Sequence, residues 1–486
     1  MKHLSYFILL IMLGTFIQCA STQEVDQAKP NVILLYIDDM GYGDLEPYGQ
    51  TGVETPNFNK LAAEGIRFTN FEVAQPICTA SRAALLTGTY PNRIGMGGVL
   101  LPASRRALNP DETTIASMLK ENNYATAIFG KWHLGNKPPY WPLNYGFDEF
   151  FGIPYSHDIW PLYPDGYTRV TNKADIRSSW PPLPLIEGNK ITDTVRNIDD
   201  TAKLTTVLTE RTLEYIDKNR NNPFFIYLAH PLPHVPLAVS DKFKDKSRMG
   251  LYGDVVKELD WSLGKIMEHL KELNLDENTI LIVASDNGPW LKFGNHGGSS
   301  GGLREGKSTT FEGGNRVPFF MKWKNHIPAG EVNGQLMTNM DVLPTIAAAT
   351  HSKLPSKRID GINYLPFLTG ETPTVPRDIM YYYFSYGENS ELQAIRYKKW
   401  KLVLPHTYDS YEGSMGKDGK SGKTTKKSIQ YELYDLSHDP GENYDISKLY
   451  PEMIEKLKQI AEESRSDLGD SNHKIKPTNA REPARY

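Results

Sequence analysis

Asn31-Val32-Ile33-Leu34-Leu35-Tyr36-Ile37-Asp38-Asp39 is a continuous apolar run that ends in two adjacent carboxylates. A short, β-branched-rich run without polar alternation is the pattern of a strand covered on both faces, as in the centre of a parallel sheet. Similar runs recur at Thr126-Ala127-Ile128-Phe129, Phe224-Phe225-Ile226-Tyr227-Leu228 and Thr279-Ile280-Leu281-Ile282-Val283-Ala284. Stretches of helical periodicity lie between them, at Glu112–Asn122, Thr201–Asn219 and Tyr252–Leu273. This alternation predicts an α/β fold with a mixed, mostly parallel sheet sandwiched by helices.

The residues after each run point to chemistry. Ligands of open α/β sheets gather outside the carboxyl ends of the strands. Here those ends carry Asp38-Asp39, Lys131 with His133, His230 with His234, and Asp286-Asn287. Helix capping explains any one Asp or Asn by itself, but not four coincidences. If the segment after Phe129 stays extended, Lys131 and His133 project to one side.

After about Pro376 the pattern changes. Asp378–Tyr386, Gln393–Leu404 and Ile429–Leu436 read as short antiparallel strands, and Pro451–Ser464 as a helix, giving a smaller C-terminal α+β unit over 376–468 beside a main domain over 31–375. Gly413–Lys427 reads as an exposed loop whose lysines face either solvent or an anionic polymer. Residues 469–486 read as a flexible tail.

The 486 residues carry 54 Lys+Arg against 58 Asp+Glu, so no global field argues for nucleic acid as a partner. Met1-Lys2-His3 precedes an apolar run from Leu4 to Ile17, which places a secretion signal over residues 1–18. Phe16-Ile17-Gln18-Cys19-Ala20 resembles a loose bacterial lipobox. Cys19 is then either a lipidated mature N-terminus on a tether over 19–30 or an incidental cysteine near a cleavage site. Either way the expectation is export to the periplasm or cell surface, with the membrane engaged only through a lipid anchor. Cys78 is the other cysteine of the chain.

Cys78 opens a helix-forming stretch, Cys78-Thr79-Ala80-Ser81-Arg82-Ala83-Ala84-Leu85-Leu86-Thr87, that ends at Gly88. Unpaired N–H groups at a helix start favour an anion, and Arg82, four residues on, lies on the same face. The alternative is a buried structural cysteine with Arg82 as a surface charge.

C-T-A-S-R followed by A-A-L-L-T-G resembles the signature of the type I sulfatases, with Ala80 where the commoner pattern has Pro. The resemblance extends through G-K-W-H-L-G (130–135), G-I-P-Y-S-H-D (152–158), S-D-N-G (285–288), G-K-S-T-T-F-E-G-G (306–314) and Y-E-L-Y-D-L (431–436), and is strongest to the arylsulfatase A and N-acetylgalactosamine-6-sulfatase branch. It implies an alkaline-phosphatase-like fold and oxidation of Cys78 to formylglycine by a maturation enzyme. It implies Ca²⁺, or Mg²⁺, held by Asp38, Asp39, Asp286 and Asn287 with an oxygen from the modified Cys78. Hard oxygen donors suit either ion better than zinc.

The same resemblance implies that Lys131 and Lys307 contact sulfate, that His133 serves as base at the formylglycine hydrate, and that His234 acts with Lys307 at the leaving oxygen. Ser156 and His157 fall in the substrate loop, and His230 is either a substrate contact or a support. A sulfated oligosaccharide or polysaccharide, algal (such as ulvan or carrageenan) or glycosaminoglycan, is the expected substrate. Trp160, Tyr163 and Tyr167 are placed either to stack on sugar rings or to pack the loop. Two other readings share the fold: a phosphoester or phosphonate hydrolase, and a glycan-binding protein without turnover.

Overall fold

The computed structural model describes residues 29–486. The secretion signal, Cys19 and nearly all of the tether lie outside the described residues. From one edge, the central sheet runs Glu331–Asn333, Ile66–Glu72, Arg316–Lys322, Thr279–Ser285, Asn31–Ile37, Phe224–His230, Ala125–Lys131, Glu149–Ile153, Leu183–Glu187 and Lys190–Val195. The five strands from Thr279–Ser285 to Glu149–Ile153 pair in parallel, and Arg316–Lys322 joins them antiparallel.

The Asn31–Ile37 strand is buried on both faces, as its unbroken apolar run requires. Val32, Leu34 and Tyr36 enter one core, with Leu85 and Leu86 of the Cys78–Thr87 helix and Ile346 of the Val342–Ala349 helix. Ile33, Leu35 and Ile37 enter the other, with Leu208 and Ile216 of the Leu204–Asn219 helix and Val255 and Leu259 of the Gly250–Glu272 helix. The sheet therefore sits between two helical layers, as expected for an α/β sandwich.

Register decides where the charged ends emerge. Ile37 lies opposite His230 and Ser285, and Gly130 opposite Ala229, so Asp38, Lys131, His230 and Asp286 leave the sheet at one level. Gly130 is required for this pairing: its φ is +116°, and a Cβ there would lie 2.0 Å from the Ala229 carbonyl oxygen.

The C-terminal sheet pairs Ile379–Phe384, Glu391–Tyr397, Trp400–Val403 and Glu432–Asp435 antiparallel, with the Pro451–Leu468 helix contributing Leu457, Ile460 and Leu468 to the same core. Buried ion pairs tie this sheet to the rest of the fold: Arg396 to Glu72, and Lys401 to Glu312 at 2.9 Å.

The structure differs from the sequence reading in three places. The single strand expected over Gln393–Leu404 is two, reversing at Lys398, whose φ of 55° breaks the extended backbone. Gly413–Lys427 is not simply a loop, because Thr425–Ile429 pairs with His406–Ser410 as a hairpin. The segment after Gly469 is not free either. Ala484–Arg485 pairs with Arg106–Ala107, and Arg481 grips both oxygens of Glu112 at 2.7 and 2.8 Å. Polarity identifies a segment with no core of its own, but not one whose charges find fixed partners elsewhere. Among the described residues no helix is long and apolar enough to cross a membrane.

Candidate active site

Cys78 is the first residue of a ten-residue helix, all of it buried, preceded by extended Ile77 and ended by left-handed Gly88, whose N–H donates to the Ala84 carbonyl. The arrangement puts the cysteine at the positive end of the helix, under the carboxyl edge of the sheet. Its Sγ lies 3.4 Å from Asp38 Oδ1 and 3.3 Å from Lys307 Nζ. Burial first, and then Asp38, pushes the thiol well above its ordinary pKa.

Three buried carboxylates meet three buried cations. Lys131 Nζ donates to Asp38 Oδ2 at 2.5 Å, Lys307 Nζ to both oxygens of Asp39 at 2.6 and 2.8 Å, and Arg82 to Asp286 Oδ2 through Nε and Nη2 at 3.0 and 2.8 Å. Arg82 also reaches the Lys131 carbonyl and, at 3.7 Å, Asp38. Arg82 is thus a site residue and not a surface charge. Burial is opposed at Asp38 by Lys131, which helps to hold it well below the usual carboxylate range. Asp39 is pushed up to about 7 by burial and by its neighbours Asp38 and Asp286, against the pull of Lys307.

A divalent cation fits this donor set. Asn287 donates through Nδ2 to Asp39 Oδ1 at 2.7 Å, yet its own Oδ1 is buried with no partner. Donor atoms of Asp38, Asp39, Cys78 and His234 lie within 4.8 Å of one another, and Asp286 Oδ1 accepts from the Asp39 N–H at 3.0 Å. His234 Nδ1 is 2.6 Å from the Val235 carbonyl, which assigns the proton to Nδ1 and leaves an Nε2 lone pair 3.5 Å from Asp39 Oδ2. Two acceptors facing each other, an orphaned amide oxygen and a carboxyl held near pH 7 all call for added positive charge. The sequence reading did not place His234 within this cluster.

The remaining residues are more dispersed. His133 does not continue the strand: its φ is 60°, so its direction is set by a turn and not by alternation with Lys131. Its Nε2 bonds the Leu100 carbonyl at 2.9 Å, and its buried Nδ1 is unpartnered. Burial, and secondarily Lys131, holds this imidazole neutral. Ser156 Oγ is buried and unpartnered; His157 bonds the Pro236 carbonyl at 3.0 Å and stacks edgewise on His234, ring centres 5.6 Å apart. His230 bonds Ser262 of the Gly250–Glu272 helix at 3.1 Å. Of the three loop aromatics, Trp160 is 2% exposed in a local core, Tyr163 lies beneath Arg177, and Tyr167 is exposed and bonded to Asp199.

Two site residues escaped the sequence reading. The Trp290 ring centre is 4.6 Å from Lys307 Nζ and 5.3 Å from the His234 ring. Its place directly after S-D-N-G-P could have revealed it. The Tyr411 hydroxyl donates to the Lys307 carbonyl at 2.5 Å from the C-terminal sheet region, and no local signal marks it. Lys307 lies between Glu305 (φ 58°) and Ser308 (φ 68°), both left-handed, so its loop is held in a conformation that side chains disfavour.

Such a constellation, buried cations and carboxylates around a helix-start cysteine at the carboxyl edge of the sheet, suits the hydrolysis of an anionic ester. The particular family follows from comparison with known proteins. The family model described as Sulfatase matches residues 30–352, and that described as C-terminal region of aryl-sulfatase matches 375–484. Arylsulfatase A of Homo sapiens is 37% identical over 454 residues, 89% of this chain and 87% of that one. N-acetylgalactosamine-6-sulfatase of Homo sapiens is 40% identical over 371 residues, 73% and 68% of the two chains.

Among solved structures, the PsFucS1 sulfatase from Pseudoalteromonas sp. superposes with a TM-score of 0.79 at 28% identity, covering 90% of this chain and 89% of that one. Ps i-CgsB in complex with k-i-k-neocarrahexaose gives 0.72 at 29%, covering 90% and 92%. The chain belongs to the sulfatase family, and it is a sulfuric ester hydrolase with the alkaline-phosphatase-like fold.

Proposed function

We propose that the chain removes sulfate from sulfated carbohydrates, with a nucleophile made from Cys78 by oxidation to formylglycine and with a bound calcium ion. The observation that carries this reading is the setting of Cys78, the first residue of a buried helix, with its Sγ 3.3 Å from Lys307 Nζ and 3.4 Å from Asp38 Oδ1. Formylglycine, once formed and hydrated by one water, would supply two geminal hydroxyls in place of one thiol, and calcium would supply the charge that polarises them.

The chain's own residues do the rest. Asp38, Asp39, Asp286 and Asn287 would hold the ion, with Arg82 and Lys131 fixing the carboxylates and facing the sulfate oxygens. Lys307 Nζ is placed to give a proton to the departing alcohol oxygen. His234 joins it once the negative sulfate group restores the protonated imidazole that burial suppresses. His133 Nδ1, neutral and unpartnered, is the site for accepting a proton when sulfate is released.

A carbohydrate substrate is supported by the hexasaccharide bound in the i-CgsB structure and by the aminosugar named for the 40%-identical relative. The reading includes action outside the cytoplasm by a protein anchored through Cys19, an anchoring that release by detergent but not by salt would reveal.

Peptide mass spectrometry across Cys78, after co-expression with a formylglycine-generating enzyme, is expected to show conversion together with sulfate release from carrageenan or glycosaminoglycan oligosaccharides. A thiol that persists in protein releasing sulfate at full rate would sink the mechanism. Chelation by EGTA is expected to lower the rate at least about a hundredfold, with recovery on adding Ca²⁺; unchanged activity in metal-free protein would exclude the ion.

A further inference from the structure

Residues 413–427 hold five lysines, at 417, 420, 423, 426 and 427, and the proposed chemistry uses none of them. Lys427 pairs with Glu412. The other four are exposed and, among the described residues, lie within 4.0 Å of no carboxylate. Solvated lysines of this kind are ordinary on a free loop, but this one is not free. Gly416 N and Gly422 N both donate to the Lys292 carbonyl, at 3.0 and 2.7 Å. Asn295 and Asp418 exchange two hydrogen bonds of 2.9 Å. The single carboxylate of the hairpin tip is thereby spent on docking, and the ammonium groups are left over.

The docking place is the edge of the active site. Lys307 Nζ, 3.3 Å from Cys78 Sγ, lies 4.6 Å from the Trp290 ring centre. Trp290 and Phe293 line a cavity of about 180 Å³ that Gly419 of the hairpin tip also lines, and Gly419, Pro164 and Pro236 are shared with a neighbouring cavity of about 630 Å³. Lys292 Nζ sits 4.2 Å from the Trp290 centroid and 5.4 Å from that of Phe293. It too lacks a carboxylate within 4.0 Å among the described residues. Arg177, on the smaller cavity, is already neutralised by Asp175, and that cavity also carries Asp158; the larger cavity sets Asp165, Asp199 and Asp241 against Lys244 and Lys203, the latter paired with Asp200 at 3.0 Å. The excess positive charge therefore belongs to the hairpin tip and Lys292, not to the whole cleft. The half-buried Lys292 ammonium is disfavoured by burial and by Lys307, with Asp158 and Asp409 opposing them, so an anion joining it is favourable, and the adjacent aromatic faces suit a sugar ring.

We propose that Lys292 and the Lys417–Lys423 hairpin tip form a second anion subsite, which holds a further sulfate or carboxylate of the same oligosaccharide on a sugar beyond the ester being cleaved. The inference rests on the reading of the chain as a glycan sulfatase and narrows its substrate to polyanionic oligosaccharides.

The test uses the full-length Cys78→Ala protein, so that binding is read without turnover, and titrates it calorimetrically with iota-carrageenan and chondroitin sulfate di- and hexasaccharides. Adding Lys417→Gln, Lys420→Gln and Lys423→Gln together is expected to weaken binding of the preferred hexasaccharide about three- to tenfold at low salt, as loss of exposed charge contacts would. The disaccharide should change less than about twofold, and the difference should vanish near 1 M salt, where screening acts over about 3 Å. Arginine at the same three positions should retain affinity.

Equal hexasaccharide affinity in the glutamine variant would overturn the subsite, as would equal losses for both lengths, an arginine variant as weak as the glutamine one, or a parent that binds neither hexasaccharide. In the Cys78-containing enzyme the glutamine changes should raise KM for the hexasaccharide and leave kcat in place. Charge-dependent binding without sulfate release from any ester would instead defeat the hydrolytic reading while leaving the subsite intact.

Discussion

The Cys78→Ala protein is expected to release sulfate at least about 10³-fold more slowly than the parent, since losing a covalent nucleophile removes the reaction path and not merely a contact. Folding should survive, because the change deletes one Sγ from a helix held by nine other buried residues and creates a space of only about one atom. Substrate binding should survive as well, since Arg82, Lys131 and Lys307 are anchored by Asp286, Asp38 and Asp39 independently of the sulfur. A serine at position 78 that the maturation enzyme leaves unmodified should be nearly as slow, having one hydroxyl where the hydrate has two. The measurement is initial sulfate release by ion chromatography beside a thermal melt. Retained turnover with alanine at 78 would move the nucleophile elsewhere and remove the basis of the proposed mechanism.

Lys307→Met is expected to lower kcat by about 10²- to 10³-fold, the range for deleting one preorganised charge from a buried site. Methionine keeps an unbranched stem against Trp290 and discards only the ammonium, so the packing at 4.6 Å from that ring is largely preserved. Asp39 loses its two hydrogen bonds to Nζ, and its carboxyl, already raised to about 7, should rise further. Calcium affinity below neutral pH should weaken in consequence. If Lys307 protonates the departing oxygen, the loss should be largest for esters of poorly acidic alcohols such as sugars, and smaller for an aryl sulfate whose phenolate leaves unaided. A loss independent of the leaving group would assign Lys307 to holding sulfate and Asp39, and would exclude it as the acid.

Much of this site is readable in the chain because its parts are attached to sheet strands. Asp38, Lys131 and Asp286 each follow a buried apolar run at a strand end, and parallel pairing brings such ends to one level. Cys78 and Arg82 are readable for a different reason: four residues apart on one helix, they are neighbours by helical geometry alone. The resemblance to sulfatases then attached roles to positions, and membership of the family agrees with it.

Other features have no local trace. Lys307 meets Cys78 across 229 positions, from a loop whose left-handed flanks are not written in its composition. Tyr411 reaches the Lys307 carbonyl from the C-terminal sheet region. The turn at His133 replaces the extended continuation that alternation suggests. The polar segment after Gly469 is a strap, because Arg481 and Arg485 meet Glu112 and Glu388 on other parts of the molecule.

The sequence by itself determined the α/β sandwich, the strand ends that carry carboxylates and cations, the helix that presents Cys78, and the family to which these belong. Periodicity and apolar runs follow from short-range geometry, repeating every 2 or 3.6 residues, and any chain that buries them must obey it. Tertiary structure alone decided which cation faces which carboxylate, that His234 turns a lone pair toward Asp39, and that a lysine-rich hairpin docks on Lys292 beside the active site. Contacts of this kind join residues far apart in the chain, and they are set by how packed elements exclude water and satisfy buried charge, which no local pattern encodes.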